Sequence, residues 1–500
     1  MTETELKFQI PPRQAAAVAR AVATTTARRI RLVAAYADTA DRRLAAAGLA
    51  LRLRREGRQW VQTLKGRGDG LMARPEHEVA VSAMPAMPAF DATRHAGTPV
   101  GDLLLAQLAD GAPLQVLYRT DIRRTLRLVR SGGAQIELAH DRGRIHAEGG
   151  QVEVDELEFE LKAGPAAALP ALALRWVQRH GLWWDVRTKS ERGFRLAEGL
   201  DLVPATHAEP SSVSRGQAGP ALLATLVQDT LAQVLPNAAE LAARTATPEH
   251  LHQLRVGLRR LRSVLREAAP LRGEPEAVAA ALALERDWAA PFGALGAARD
   301  ADALAAGLWP ELDRVLAAAG LPPLPQAAAS SAQDPSEVVQ GTAVQALLMR
   351  TLAMALPPAA AAEGTAPAAG ASVTPPDAAA LLQPLWKRVR RGSREIAAVP
   401  PEQLHRLRKR AKRLRYLLDA LAPQLKRKPL QRLLALLRKA LNRLGELNDL
   451  HTAEQALKAL PEPSPSVWLA LGWLTAHRQA LLARAQQALD ELAKAAPPWR

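Results

Sequence analysis

Glu3, Glu5 and Lys7 alternate with Thr4, Leu6 and Phe8 near the start of the chain. Alternate side chains of a β-strand share a face, so two carboxylates and an amine would line one side. Adjacent carboxylates repel unless a cation, most simply a divalent metal, lies between them. The amine beyond them suits a phosphate oxygen. Taken alone, such alternation is also what the wet face of an ordinary sheet looks like. The pattern recurs, however. Leu51-Arg52-Leu53-Arg54 puts two arginines on one face, Lys65 closes Val61-Gln-Thr-Leu-Lys65, and Arg74, Glu76 and Glu78 alternate again. Within Asp155–Lys162, residues Glu158, Glu160 and Lys162 repeat the opening Glu-x-Glu-x-Lys, with Glu156 extending the row.

Strands with one charged and one apolar face need two environments. If outer helices cover the apolar faces, the charged faces must look into a lumen, as in a closed barrel where inward and outward residues alternate. The expected architecture is multidomain α+β: an N-terminal antiparallel β-tunnel (a closed barrel with flanking helices) followed by an all-α duplicated helical bundle. Lumen carboxylates would hold Mg²⁺ or Mn²⁺ through oxygen ligands, and lumen Arg and Lys would grip phosphate.

These rows resemble the CYTH domain, the triphosphate tunnel metalloenzyme family. The matching stretches are Glu3-x-Glu5-x-Lys7, Tyr36-Ala-Asp38-Thr39 with Asp41 and Leu44, Leu51 to Arg54, Lys65 and Arg74-Pro-Glu76-His-Glu78. Thr120-Asp-Ile-Arg-Arg124, Glu156 to Lys162 and Thr188-Lys-Ser-Glu-Arg-Gly-Phe194 complete the set. The resemblance implies metal-dependent cleavage or rearrangement of triphosphate substrates in a β-tunnel. Carried over, Glu3, Glu5, Glu76, Glu78, Glu158 and Glu160 are metal-side residues, and Glu3, Glu5 and Lys7 form the catalytic row. Lys7, Arg52, Arg54, Lys65, Arg124, Lys189 and Arg192 are the expected phosphate ligands.

Composition sets the outer bounds. The 500 residues carry a formal net charge of +16, which points to a polyanionic partner. Cysteine is absent, excluding disulfides and thiolate metal sites. The polar start lacks a basic-then-apolar leader, and no apolar run approaches the roughly 20 residues that span a bilayer. A cytoplasmic, non-membrane protein is expected, with association to polyphosphate granules as a further expectation.

Past Asp201 the composition shifts. Residues 1–203 read as the tunnel domain and 204–219 as a linker. Residues 220–500 then read as a helical domain with repeats at about 220–320 and 379–500. An Ala/Pro/Gly-rich insert at about 357–378 reads as a mobile loop. Leu251–Arg262 aligns without gaps to Leu404–Arg415, and Leu295-Gly-Ala-Ala-Arg-Asp300 aligns to Leu444-Gly-Glu-Leu-Asn-Asp449. Two paired motifs in the same order indicate duplication.

At about 100° per residue, His252, Arg255, Arg259, Arg262 and Arg266 fall within roughly an 80° arc. His405, Arg408, Lys412 and Arg415 take the same angles in the second copy. Leu254, Leu258, Leu261 and Leu265 form the neighbouring apolar stripe, repeated by Leu407, Ala411, Leu414 and Leu418. A row of like charges destabilises a bare helix slightly, so a bound polyanion is a natural compensation. Asp300 and Asp449 could either position the arginines by salt bridge or cap helices. This half resembles a CHAD domain, which implies that the nine basic-row residues bind inorganic polyphosphate.

No nucleotide-loop, zincin or hydrolase-elbow motif occurs, and no aromatic-stacking motif or DNA-reading module argues for nucleic acid. His140-Asp141 could hint at an HD-type phosphohydrolase, but followed by Arg-Gly143 and flanked by strand-like runs it reads as a hairpin turn. The sequence therefore predicts a metal-dependent inorganic triphosphatase acting on tripolyphosphate, tethered to a polyphosphate-binding bundle. The alternatives are use of an organic triphosphate, by thiamine-triphosphatase or adenylate-cyclase chemistry, and a non-catalytic granule-binding protein.

Overall fold

The computed structural model describes residues 2–68, 70–83, 85–296, 308–324, 333–356, 378–460 and 464–499. The Ala/Pro-rich insert up to residue 377, together with Asp300, lies outside the described residues. The chain divides into two compact units. The first takes Met1–His207, Leu231–Leu254 and Val339–Glu363; the second takes Ala208–Thr230, Arg255–Val338 and Gly364–Arg500.

Eight antiparallel strands form the frame of the first unit: β1 (Thr2–Gln9), β2 (Arg28–Asp38), β3 (Ala50–Glu56), β4 (Gln59–Lys65), β5 (Ala73–Ser82), β6 (Gln115–Ser131), β7 (Ala134–Ala147) and β8 (Gly150–Ala163). Neighbours run β5-β4-β3-β2-β6-β7-β8-β1, and β1 also pairs with β5 (Glu3 opposite Arg74), which closes the barrel. A two-residue β9 (Trp183–Trp184) extends the β1 edge. Strands β6 and β7 meet at Gly132-Gly133, both with positive φ (58° and 74°), the conformation a tight two-residue hairpin demands.

The sequence alternation is realised as expected. Leu6, Phe8, Leu157 and Phe159 face outward and are buried beneath the helix Ala168–His180, whose Leu169, Leu172 and Val177 are buried in turn. Phe159 meets Phe8 edge-on at 5.4 Å and Trp176 at 6.0 Å. On the other side, Leu51 and Leu64 pack with Leu44, Leu49, Val100 and Leu104. Burying each such side chain contributes about 1.5–3 kcal/mol.

Part of the helical half of the sequence completes this unit. The helix Thr342–Ala355 packs on Ala168–His180, and the Gln345 side-chain oxygen accepts from the Trp184 N–H at 2.8 Å. His140 and Asp141 do not form a turn. They lie mid-strand in β7, and Gly143 is there because a Cβ would sit 2.0 Å from the Asp121 carbonyl oxygen on β6.

In the second unit the helices Pro401–Ala420, Arg427–Lys458 and Pro465–Ala493 pack in sequence. They are joined by Pro275–Asp287 and by the part of Pro248–Glu267 beyond Leu254. The leucine stripes of both repeats are buried, from Leu258, Leu261 and Leu265 to Leu407, Leu414 and Leu418. None of the described helices is long and apolar enough to cross a membrane.

Candidate functional site

Inside the barrel the inward faces of all eight strands meet in a cavity of about 290 Å³. Glu3, Glu5 and Lys7 line it from β1, Arg52 and Arg54 from β3, Lys65 from β4, and Glu76 and Glu78 from β5. Arg124 on β6, Glu158 and Glu160 on β8, and Lys189 complete the set named from sequence. Arg192 is not brought into the cavity: its guanidinium donates to the Glu156 carboxylate at 2.8 Å and to the Glu153 carbonyl at 2.7 Å. A second cavity, of about 780 Å³, shares Glu5, Lys7, Lys65 and Arg74 with the first and is walled by Asp185 and Arg187. Lys7 is buried there and donates to the Arg187 carbonyl.

The lumen is a lattice of opposite charges. Lys65 Nζ lies 2.5 Å from Glu3 and 3.1 Å from Glu76. Arg74 reaches Glu3 at 3.3 Å and Glu5 at 3.2 Å, while Arg54 reaches Glu78 at 3.3 Å and Lys162 reaches Glu160 at 2.7 Å. Arg124 forks onto Asp141 through two 2.6 Å bonds and touches Glu158 at 2.5 Å. Lys189 Nζ sits among Asp141, Glu156 and Glu158 at 2.6, 2.5 and 2.7 Å. Those three carboxylates bring oxygens within 4.8 Å of one another, the one such acidic group among the described residues.

Burial and neighbours then split the acids. Burial raises the Glu3 carboxyl, but Lys65 and Arg74 outweigh it and hold it at about 2. Burial opposes ionisation of Glu158 as well, yet Lys189 and Arg124 keep its carboxyl well below the usual range. Glu5 goes the other way. Burial, then the facing Glu158 and Glu3, push its carboxyl up, and Arg74 does not compensate. Glu3 and Glu158 are thus held ionised, while Glu5 beside them resists ionising.

Sequence reasoning missed Asp141 and Glu156, both fully buried, as the anchors of Lys189. Lys189 owes its position to a helix start. Thr188 caps the helix Lys189–Ala197 by accepting from the Glu191 N–H at 3.0 Å, in the Thr-x-x-Glu pattern of a capping box. An ammonium at a helix N-terminus opposes the helix dipole, and the three carboxylates offset that. The helix lies against Tyr118, whose hydroxyl pairs with Ser190 Oγ at 3.0 Å. A Cβ on Gly193 would fall 2.3 Å from two Tyr118 ring carbons. Gly193→Ala is therefore expected to destabilise the barrel by about 1–3 kcal/mol and to pull Lys189 off its carboxylates. Thermal melting together with turnover would check it, and an unchanged melting temperature would refute it.

The second unit holds a cavity of about 940 Å³. Arg255, Arg259 and Arg262 line it from one basic helix and His405, Arg408 and Lys412 from the other, as the repeat led us to expect. His252, Arg266 and Arg415 do not line it. Arg266 pairs with buried Glu285 at 2.5 Å, which also holds Arg262 at 2.8 Å, and Arg415 lies over the Tyr416 ring at 4.9 Å. Phe292 carries Arg255, Arg259 and Arg262 against its ring at 5.4–5.7 Å.

The Leu-Gly motifs explain the duplication. Arg255 donates to the Gly296 carbonyl at 2.8 Å, and a Cβ there would meet the guanidinium at 3.4 Å. In the second copy Arg408 donates to the Leu441 carbonyl at 2.7 Å, and a Gly445 Cβ would lie 2.8 Å from it. The second repeat thus uses its glycine to admit the arginine of its own His-x-x-Arg helix, whereas a Cβ at Gly296 would make only ordinary contact with Arg255. Asp449 sits in the interior of Arg427–Lys458, which rules out the capping role there. Because the atom in the way is the end of a flexible side chain, and alanine is favoured over glycine in a helix interior by about 1 kcal/mol, Gly445→Ala is expected to leave the melting temperature unlowered while displacing Arg408. A melting curve beside a structure of the variant would check this, and an undisplaced Arg408 would refute the cradle's role.

Residues 1–182 match the CYTH domain family and residues 225–458 match the CHAD domain family. Over 202 residues, 39% of this chain, the sequence is 28% identical to an inorganic triphosphatase of Haemophilus influenzae, and the match spans 55% of that protein. Among solved structures, the CHAD domain from the plant Ricinus communis is 24% identical, with 59% of this chain and 98% of that one covered and a TM-score of 0.43. A putative adenylyl cyclase from Hippeastrum with a dominant triphosphatase activity is 18% identical, covering 40% of this chain and 98% of its own, with a TM-score of 0.31.

Proposed function

We propose that this chain, which joins a CYTH domain to a CHAD domain, is a divalent-metal-dependent phosphohydrolase of inorganic tripolyphosphate whose helical unit binds inorganic polyphosphate. The observation that carries the reading is the lumen lattice, in which every described carboxylate row faces cations able to hold phosphoryl oxygens. A plain polyanion clamp would have no use for the acids.

Arg52, Arg54, Lys65 and Arg124 now neutralise carboxylates. When a polyanion enters, they would turn to its phosphoryl oxygens and hold the chain in line. Glu3, Glu5 and Glu158 would hold Mg²⁺ or Mn²⁺, which when bound supplies Lewis-acid polarisation of a phosphoryl oxygen. Glu76 lies outside that trio and its carboxyl is pushed up by burial, which suits it to take the proton of the attacking water.

The test is phosphate release from tripolyphosphate, pyrophosphate, ATP, thiamine triphosphate and long-chain polyphosphate, with Mg²⁺ or Mn²⁺ and with EDTA. Metal-dependent release mainly from tripolyphosphate supports the proposal. Preference for an organic triphosphate would move the substrate class, and tight polyphosphate binding with no release would leave only a binding protein.

A further inference from the structure

Two walls of different chemistry face each other across the cavity of the second unit. One is cationic, built by Arg259, Arg408 and Lys412 from the two basic helices. The other comes from Pro465–Ala493, where Trp473, His477, Leu481 and Arg484 recur at helical spacing and all line the cavity. Trp473 stacks on His477 with ring centroids 3.9 Å apart and 21° between planes, a flat aromatic surface in a cavity that Arg484 also lines. Glu446 and Asp449 also line the space, and Glu446 is bound by Arg443 at 2.8 Å.

Inorganic polyphosphate uses only half of this. It is acceptor-only and has no apolar surface, so it gains nothing from an aromatic wall and is repelled by carboxylates. A ligand with a phosphate tail, hydroxyl and amine donors, and a flat ring would use all three components. Aromatic side chains bind bases through stacking, carboxylates accept from hydroxyls and exocyclic amines, and arginines take the phosphates.

We infer that the helical cavity is a binding site for nucleoside polyphosphates, with the phosphate tail on the two basic helices and the base at Trp473. This rests on the reading of the cavity as a polyanion site. Stacking is worth about 1–3 kcal/mol per base, so ATP should bind there about tenfold tighter than tripolyphosphate of like charge.

The experiment is photolabelling of the full chain with an azidoadenosine triphosphate probe in EDTA, followed by peptide mapping. Labelling within residues 465–493, competed by ATP about tenfold better than by tripolyphosphate, is expected. Trp473→Ala should abolish that preference while tripolyphosphate still competes, and Trp473→Phe should retain it. Labelling confined to the barrel, or an unchanged preference in Trp473→Ala, overturns the inference. If long-chain polyphosphate titrated against the same protein binds while the probe does not label this helix, the nucleotide assignment alone fails. If neither ligand binds, the polyanion reading fails with it.

Discussion

Glu5→Gln is expected to lower phosphate release from tripolyphosphate by about a hundredfold to a thousandfold, the scale seen when one charge-stabilising group is removed from an active site, without lowering the melting temperature. The two outcomes have one cause. Burial and the facing Glu158 and Glu3 raise the Glu5 carboxyl above its ordinary value. A carboxyl raised in the folded state stabilises the fold below its unfolded pKa, and that contribution is lost as pH rises. At neutral pH the ionised group is therefore a burden on the fold, which the amide relieves. Arg74 keeps a partner, since it also reaches Glu3 at 3.3 Å. Glu158→Gln should behave oppositely. Its carboxyl is held well below the usual range against burial by Lys189 and Arg124, so the substitution breaks a buried network. Losses of about 3–5 kcal/mol follow such breaks. Steady-state rates with paired melting curves separate the two variants. Full activity in Glu5→Gln would remove Glu5 from the site, and a large drop in its melting temperature would make its role structural.

How much of this was legible in the sequence depended on periodicity. β1, β3, β5 and β8 announced themselves because charge recurs every second residue, and the closed barrel followed from having to bury one face of each. The basic helices were legible for the same reason at the helical period. Asp141 was not, because its nearest neighbours on the inward face of β7, Ala139, Gly143 and Ile145, are uncharged and Glu137 lies four residues away, so no alternating row marks it. Gly143 misled for a related reason. It serves close strand approach, and a turn glycine looks no different in one dimension. Gly193 and Gly445 are further cases, since each makes room for a side chain distant in sequence. The aromatic wall of Pro465–Ala493 was hidden because Trp473 and Leu481 look like ordinary core residues until a third helix is placed opposite them.

The lattice also bears on the way the lumen tolerates its charges. Lys189 is saturated by three acids, whereas Arg52 lies 3.6 Å from Glu76 and 3.5 Å from Glu78, both long for ion pairs. The lumen cations thus divide by how closely their carboxylates approach. The same division exists in the helical cavity, where Arg262 is bound by buried Glu285 but Lys412 is surrounded by like charge.

Polyphosphate binding by the helical unit is accordingly expected to weaken as pH rises above about 7. Burial, then Arg259, Arg408 and Arg415, lower the Lys412 ammonium to about 7, and Asp449 only partly opposes them. Asp449 is itself pushed up by burial, which limits its help. His405 is lowered by burial as well. Below about 7 Lys412 is already charged, and a polyanion meets a full cation. Above it the free protein holds a neutral amine, and binding must draw a proton from solvent. One linked proton changes affinity by up to about tenfold per pH unit. Lys412→Arg keeps the cation at all these pH values and should flatten the profile without lowering affinity at acid pH. Titrations in buffers of different ionisation enthalpy would report uptake of about one proton in the parent and none in the variant. An equal slope in both would place the linkage elsewhere in the cavity and return Lys412 to an ordinary charged lysine. The difference between the two proteins is the decisive quantity, because polyanion held in the barrel contributes equally to each.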